Sequence, residues 1–489
     1  MNLASTLARS LPLFTATKVL GLLLAAPLAG QASRFPARPR QVVPSPLQQD
    51  IIDPLAITIN GASVPVTPVG SLPALPHGPG WFNLSAPVVN QLDPELFVLG
   101  LPDAAVAGPG KRPLVVVFHQ FNASHGDVIS HTDFLAESQA RGWYLLGPLS
   151  RSPGADPDIN FGSAESQEFT RAGLEWVLDN YPIDRKRIFA VGFSMGGAAA
   201  ASYAARHMDP KAGMFAALVD HTGSVDQVDT YYNVGTSTQA QMQTIFGGTP
   251  FQVPFNYRRS SCIELDLFTP YPLDLLPGGT HMAVNLTHVP TQFWWNTNDN
   301  LTYLVNQTEA FASLLNSFPG AVVDLNPVNV SSSDPNHSWD TMPALDVCNW
   351  LDTQQLTIPT ASRIIADHDG RWYHFDLTLD APGQFARLTY DVDLSQSLVA
   401  VESTHGLSRL VTRLADWGPF NGQLPLTVRV EALDAGDELV FQGITTEPQV
   451  VYRDGLGVLP GLWWDYVQAT EILTLRESQT GLHVWSFLP

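Results

Sequence analysis

Arg187-Ile-Phe-Ala-Val-Gly-Phe-Ser-Met-Gly-Gly197 is the stretch on which the fold turns. Residues 187–191 are rich in β-branched and aromatic types and read as a strand. Residues 197–207 are rich in alanine and read as a helix. Between them stands Gly192-x-Ser194-x-Gly196. A serine on so tight a strand-to-helix turn has its Oγ pushed above the sheet edge. Side chains two residues to either side would collide with the crossing strand and helix, so glycine is required at Gly192 and Gly196. Met195 then offers its backbone N–H at the start of the helix, where the helix dipole favours a developing oxyanion. Both flanking elements are present, so Ser194 is expected to be a nucleophile rather than part of a chance pentapeptide in a loop.

Working outward, residues 114–118, 143–147, 215–219 and 292–295 are short apolar runs of the kind that form strands buried on both faces. Residues 165–180 have helical spacing, with Ala172, Leu174, Trp176 and Val177 on the side to be buried. Strands alternating with helices predict a doubly wound, mostly parallel sheet. The alternation stops from Asp220 to Pro290, a stretch far longer than an ordinary connection, which predicts a cap-like insertion. Beyond residue 358 the pattern becomes strands separated by Gly, Pro and Asp turns, at 371–378, 385–392, 397–402, 424–430 and 438–441. That predicts a C-terminal all-β, sandwich-like domain. The expected organisation is a signal segment (1–32), a Pro/Gly-rich extension (33–80), an α/β catalytic domain (81–358, with 220–290 inserted) and a β-rich accessory domain (359–489).

A serine nucleophile needs a base and an acid. In a sheet of this kind they follow in the order acid, then histidine. Asp299 lies just past the strand at 292–295 and is the expected acid. Asp220, which also ends a strand, is the rival and serves equally as a turn residue. His337 stands in a polar loop ahead of a helix-like run at 342–351 and is the expected base, with His281 as competitor. The second oxyanion donor is expected from the loop after residues 114–118, where the backbone N–H of Phe121 is the candidate. His119, His125 and His131 have no metal-ligand spacing, and neither a metal nor a cofactor is expected. Trp294 and Trp295 beside the acid, and Trp463 and Trp464 in the β-rich domain, read first as core.

The net charge is −21, from 46 acidic and 25 basic residues among 489. No basic stripe is present, which argues against a nucleic-acid partner. Hydrophobic residues at 45% and charged residues at 15% fit a globular chain. Arg9 and Lys18 precede an apolar run at 19–28, and Gly30-Gln31-Ala32 suits cleavage after Ala32. The run is short for a bilayer span, so export to a secreted or periplasmic location is expected rather than a membrane anchor. Two cysteines, Cys262 and Cys348, could pair in an exported protein. Sequons at Asn122, Asn300 and Asn336 fall in the loops assigned to the site and are read as chance matches.

Tyr181-Pro-Ile-Asp-Arg-Lys-Arg-Ile-Phe-Ala-Val-Gly-Phe-Ser-Met-Gly-Gly197 resembles the catalytic domain of the prolyl oligopeptidase family and its esterase relatives within the α/β-hydrolase superfamily. So do Phe246-Gly-Gly-Thr-Pro250 and Tyr257-Arg-Arg-Ser260, and the likeness covers residues 110–355. It implies an α/β-hydrolase fold with Ser194, Asp299 and His337 as the triad. Secreted feruloyl-esterase-type and polyhydroxybutyrate-depolymerase-type enzymes look similar in the same region. Three departures stand out. Gln120 replaces the glycine usual in the oxyanion loop, Trp295-Asn296 replaces a His-Gly ahead of the acid, and fewer than eighty residues occupy the place of the N-terminal propeller that filters peptides in the family. The expected activity is hydrolysis of a carboxylic ester, with a peptide or a polymeric ester as other substrates. A prolyl oligopeptidase-like serine peptidase is the alternative, and a binding protein on an inactive scaffold the third reading. Oligomeric state is left open.

Overall fold

The computed structural model describes residues 57–59, 62–64, 80–103, 106, 108–265, 282–330, 336–432 and 436–488. The apolar run at 19–28, the cleavage site at Ala32, most of the 33–80 extension and His281 lie outside the described residues.

Eight strands form the central sheet: β1 (Gly80–Ala86), β2 (Glu95–Leu101), β3 (Arg112–Phe118), β4 (Tyr144–Pro148), β5 (Ile183–Phe193), β6 (Ala217–His221), β7 (Thr291–Asn296) and β8 (Val323–Val328). Their spatial order is β8-β7-β6-β5-β3-β4-β2-β1. From β8 across to β4 every neighbouring pair is parallel, while β2 runs antiparallel to both β4 and β1. The apolar runs follow from this position. Leu114, Val116 and Phe118 of β3 pack into one core, and Val115 and Val117 into a second on the opposite face. Along β5, Ile188 and Ala190 join the first core while Phe189, Val191 and Phe193 join the second. A period of two with both phases apolar is what a sheet covered on both sides requires.

Helices α1 (Phe134–Ala140), α2 (Ala164–Asn180) and α3 (Met195–Arg206) follow β3, β4 and β5. The sequence starts and stops α2 clearly: the Ser163 side chain accepts from the Ser166 N–H at its N-terminus, and Pro182 follows two residues past its end. Every residue of α3 is buried. Its alanines let the helix axis come close to β5 and β6, which a longer side chain would prevent. The insertion after β6 carries α4 (Gln227–Asn233), α5 (Thr236–Phe246) and α6 (Pro254–Arg258). α7 (Thr302–Ser317) then connects β7 to β8, and α8 (Ala344–Leu351) follows β8.

From Ala361 onward the chain is β-rich, as a seven-stranded and a six-stranded sheet whose inward residues share one core, among them Leu388, Val399, Val428 and Trp485 from one and Leu377, Leu410, Phe441 and Leu475 from the other. Residues 371–378, read from sequence as one strand, form a hairpin instead. Gly370–Trp372 pairs with Phe375–Leu379, and Tyr373 takes a positive φ of 54° at the turn. Trp464 is buried in the shared core, as expected, and Trp463 packs partly buried against it with the Arg453 guanidinium over its ring.

The core on the α3 side of the sheet runs without a break into the β-rich region. Asn285 bridges the two, donating to the carbonyls of Ala205 and Ile365 and accepting from the Ile365 N–H. Cys262 packs in this core and Cys348 in the core on the opposite face. Both are therefore free thiols, and the disulfide left open by the sequence does not form.

Candidate active site

Ser194 sits between β5 and α3 with φ 58° and ψ −121°, a backbone conformation that a non-glycine residue adopts only when its surroundings impose it. The surroundings are backbone on two sides. A Cβ at residue 192 would come within 2.1 Å of the Gly196 carbonyl oxygen, and one at residue 196 within 2.2 Å of the Phe118 carbonyl oxygen. The turn is pinned further by the Ser194 N–H on the His221 carbonyl, at 2.9 Å, and by the Ser224 N–H on the Ser194 carbonyl, at 3.1 Å.

Asp299 and His337 meet. His337 Nδ1 lies 2.7 Å from Asp299 Oδ2, and both side chains are almost wholly buried. The other carboxylate oxygen of Asp299 accepts from the Leu301 N–H at 2.8 Å, so the carboxylate plane is fixed. His337 Nε2 is buried and has no hydrogen-bond partner among the described residues. Phe193, next to Ser194 in the chain, lays its ring 4.5 Å from the His337 ring and 4.6 Å from the His221 ring. The serine turn and the histidine are thereby brought to one place by a three-ring stack.

Asp220 takes no part in that pairing. It is fully buried behind α3, its Oδ1 has no partner among the described residues, and its Oδ2 receives only the Gly223 N–H at 3.4 Å. Burial pushes its carboxyl up to about 7, against the pull of that one N–H.

Three supporting residues were given no role in the sequence reading. Asn296 ends β7 and is buried. Its Nδ2 donates to the carbonyls of Val330 and Asn336, at 3.0 and 3.2 Å, and its Oδ1 accepts from the N–H groups of Asn298 and Val330, at 3.1 and 3.2 Å. One amide thus ties the acid loop to the loop of His337. A buried polar residue at a strand end just ahead of the acid is the signal that marks it. His221 is held by Thr341: the Thr341 hydroxyl donates to the Ser338 carbonyl, so it accepts from His221 Nε2, at 2.8 Å. Burial first, and the nearby His337 second, push the His221 ring well below the ordinary histidine range, so it is a neutral member of the stack. Phe193 is the third. It occupies an unspecified position of the glycine-flanked pattern and leaves no mark beyond being aromatic.

Met195 begins α3, and Phe121 lies in the loop after β3. Gln120, which stands where related loops have glycine, does not take a positive φ; Asn122 does, at 57°. Met195 and Phe121 also pack into an apolar cluster with Phe161 and, from the insertion, Tyr231, Phe246 and Tyr257. Trp294 and Trp295 are buried in the two cores, as expected. His119 and His125 are buried and His131 is at the surface, and no group of three or more His, Cys, Asp or Glu residues among the described ones could hold a metal ion. No helix among the described residues is long and apolar enough to cross a membrane.

No family model matches the chain. It is 32% identical over 123 residues to NocK of Nocardia uniformis subsp. tsuyamanensis, a protein named as an esterase; this covers 22% of the chain and 33% of NocK, so the chain spans about a third of the relative it matches. Among solved structures, it is similar to the Staphylococcus aureus serine hydrolase FphF at 12% identity and a TM-score of 0.40, covering 56% of this chain and 98% of that one. It is similar to the S-formylglutathione hydrolase of Agrobacterium tumefaciens at 13% identity and a TM-score of 0.41, covering 56% and 95%. It is similar to the acylaminoacyl peptidase of Pyrococcus horikoshii at 15% identity and a TM-score of 0.40, covering 58% and 42%. The fold is read from the chain's own topology. A parallel sheet with an antiparallel second strand, a glycine-flanked serine turn after β5, a buried aspartate after β7 and its paired histidine after β8 together make an α/β-hydrolase fold.

Proposed function

We propose that this protein is a serine hydrolase that cleaves carboxylic esters through an acyl-enzyme, with Ser194 as nucleophile, His337 as general base and Asp299 as its orienting acid. The observation that carries the reading is the buried 2.7 Å contact between His337 Nδ1 and Asp299 Oδ2, on a ring stacked beside the strained serine turn. An ionised carboxylate can only accept, so Nδ1 carries the ring proton and Nε2 keeps its lone pair. That lone pair takes the Ser194 Oγ proton as Oγ attacks the ester carbonyl, and Asp299 stabilises the imidazolium. The carbonyl oxygen becomes an oxyanion, received by the N–H groups of Met195 and Phe121. The imidazolium then returns its proton to the leaving alcohol. Water deacylates the enzyme by the same steps in reverse order.

The esterase name of NocK supports an ester over an amide. The N-terminal apolar run supports action outside the cytosol, and protein sequencing of exported material starting at Ser33 would bear this out. The activity test is turnover of p-nitrophenyl acetate, butyrate and octanoate beside a Gly-Pro p-nitroanilide, with Ser194→Ala as control. Ester turnover that the substitution abolishes, without anilide cleavage, is the expected result. Anilide cleavage equal to ester turnover would make the protein a peptidase, and ester turnover retained by Ser194→Ala would refute the mechanism.

A further inference from the structure

The peptide unit joining Gln120 to Phe121 is held from outside by side chains that the triad does not use. Its carbonyl oxygen, that of Gln120, lies 2.9 Å from His119 Nδ1 and accepts from the Ala123 N–H at 3.2 Å. The His119 ring is buried, and its Nε2 lies 2.9 Å from the Leu149 carbonyl oxygen on the loop after β4. A carbonyl oxygen only accepts, so each contact is a hydrogen bond only when that ring nitrogen carries a proton: the neutral ring makes one of the two, and only the imidazolium makes both. The Gln120 side chain is held as well: its Oε1 accepts from Trp339 Nε1 at 2.7 Å. The Trp339 indole is itself buried, 5.1 Å from the Phe193 ring and 6.2 Å from the Phe134 ring.

A trans peptide is planar, and its C=O and N–H point in opposite directions. Fixing the Gln120 carbonyl therefore fixes the direction of the Phe121 N–H. We propose that His119 and the Gln120–Trp339 pair are positioning residues that aim the Phe121 N–H at the oxyanion. Through Trp339, two residues past His337, they also lock the oxyanion loop to the loop of the catalytic base. The inference rests on the serine-hydrolase reading, with Phe121 as a donor. It gives Gln120 a use in place of the smaller glycine of related loops. A glycine would leave the indole N–H without its acceptor and the loop without its tie.

The test is steady-state turnover of p-nitrophenyl butyrate by the full chain, with active sites counted by burst titration and melting temperature measured alongside. Asparagine places its amide nitrogen where histidine has Nδ1; glutamine places its own where histidine has Nε2. His119→Asn keeps the donation to Gln120 and is expected to hold kcat within about threefold of the parent. His119→Gln keeps only the tie to Leu149 and is expected to lower kcat about ten- to hundredfold at similar KM, a part of the roughly 10²–10³ that one complete donor supplies. Gln120→Ala and Trp339→Phe should each lower kcat about tenfold, and the double variant no further than the worse single, because the two residues act as one unit. Rescue by glutamine but not asparagine, or melting temperatures that fall while kcat stays level, would make these contacts purely structural and overturn the proposal. Activity surviving Ser194→Ala would instead sink the hydrolase reading itself, so the two failures are separable.

Discussion

Replacing Asp299 by asparagine changes one oxygen to an amide and leaves the packing alone, which makes its consequence calculable. The Leu301 N–H donates to Asp299 Oδ1 at 2.8 Å. An asparagine turned with its amide toward Leu301 would set donor against donor. It therefore keeps its carbonyl oxygen on Leu301 and presents its NH₂ to His337 Nδ1, 2.7 Å away in the parent. That nitrogen must now accept, so the ring proton moves to Nε2, and the lone pair needed for the Ser194 proton is lost. The same tautomer inversion in a serine protease triad costs about 10⁴ in kcat, which at ~1.36 kcal/mol per tenfold is about 5 kcal/mol of transition-state stabilisation. The assay is p-nitrophenyl butyrate hydrolysis at pH 7, with KM expected to stay near the parent value because the changed atom faces His337 Nδ1 and not the ester. A loss of less than about tenfold would mean that Asp299 does not set the tautomer, and the acid assignment would fail.

Three further outcomes follow from packing and charge. Gly196→Ala places a Cβ 2.2 Å from the Phe118 carbonyl and 2.6 Å from that of His119, and neither backbone can yield without moving the oxyanion loop; stability should fall by about 3 kcal/mol, the upper end for overpacking, with activity lost, as thermal melts and turnover will show. Burial raises the Glu95 carboxyl to about 8 from 4.5, with the Ser150 N–H foremost among the groups pulling the other way. Folding favours its neutral form, so its stabilisation is complete below pH 4.5 and is lost as pH climbs toward 8. Glu95→Gln is neutral throughout, and its melting temperature should exceed the parent's at pH 8 and match it near pH 4.5. Burial opposes the charge of Asp367, but Arg206, His368 and Arg259 outweigh it and hold the carboxyl well below 3.8. Asp367→Ala strands a buried Arg206 and should cost about 3–5 kcal/mol at neutral pH. The gap between variant and parent in thermal melts should narrow as pH falls below 3.8.

What the sequence made legible is what local physics dictates. The serine turn is confined to five residues, and collisions a few residues apart write the glycines directly into the chain. Asp299 and His337 could be singled out as candidates because a strand end and a pre-helix loop each carry a recognisable composition, and the two side chains do meet. The sheet's apolar runs were legible because burial on both faces removes polar residues altogether. Contacts made across the fold were not. Trp339 and Gln120 are 219 residues apart, Arg206 and Asp367 161 apart, and no spacing or period encodes such pairs. The antiparallel strands β1 and β2 and many sandwich strands escaped notice for another reason. Strands of three to seven residues are too short for a period to stand out from the turns around them. The hairpin at Tyr373 was hidden by its composition, since Trp372, Tyr373 and Phe375 read as continuous strand until a backbone reversal is seen.

The joint at Asp367 gives the β-rich region a part in the site rather than a place beside it. Arg206 ends α3, the helix that directly follows Ser194, and Arg259 lies in the insertion just past α6. Both guanidiniums contact the same Asp367 oxygen, at 2.9 and 2.6 Å. Gln167 of α2 adds its Oε1 to Arg206 at 2.7 Å. Phe255 of α6 packs 5.0 Å from Phe385 of the β-rich region, so the insertion is gripped by an apolar contact as well as an ionic one. The same insertion supplies Tyr231, Phe246 and Tyr257 to the apolar cluster that Met195 and Phe121 share. A buried carboxylate between two arginines tolerates little displacement, because each ångström of separation costs more in a dry interior than in water. The position of the wall beside Met195 and Phe121, the two proposed oxyanion donors, is therefore set in part from the C-terminal sheets. Loss of Asp367 should consequently be felt in the preference among acyl chain lengths as well as in stability.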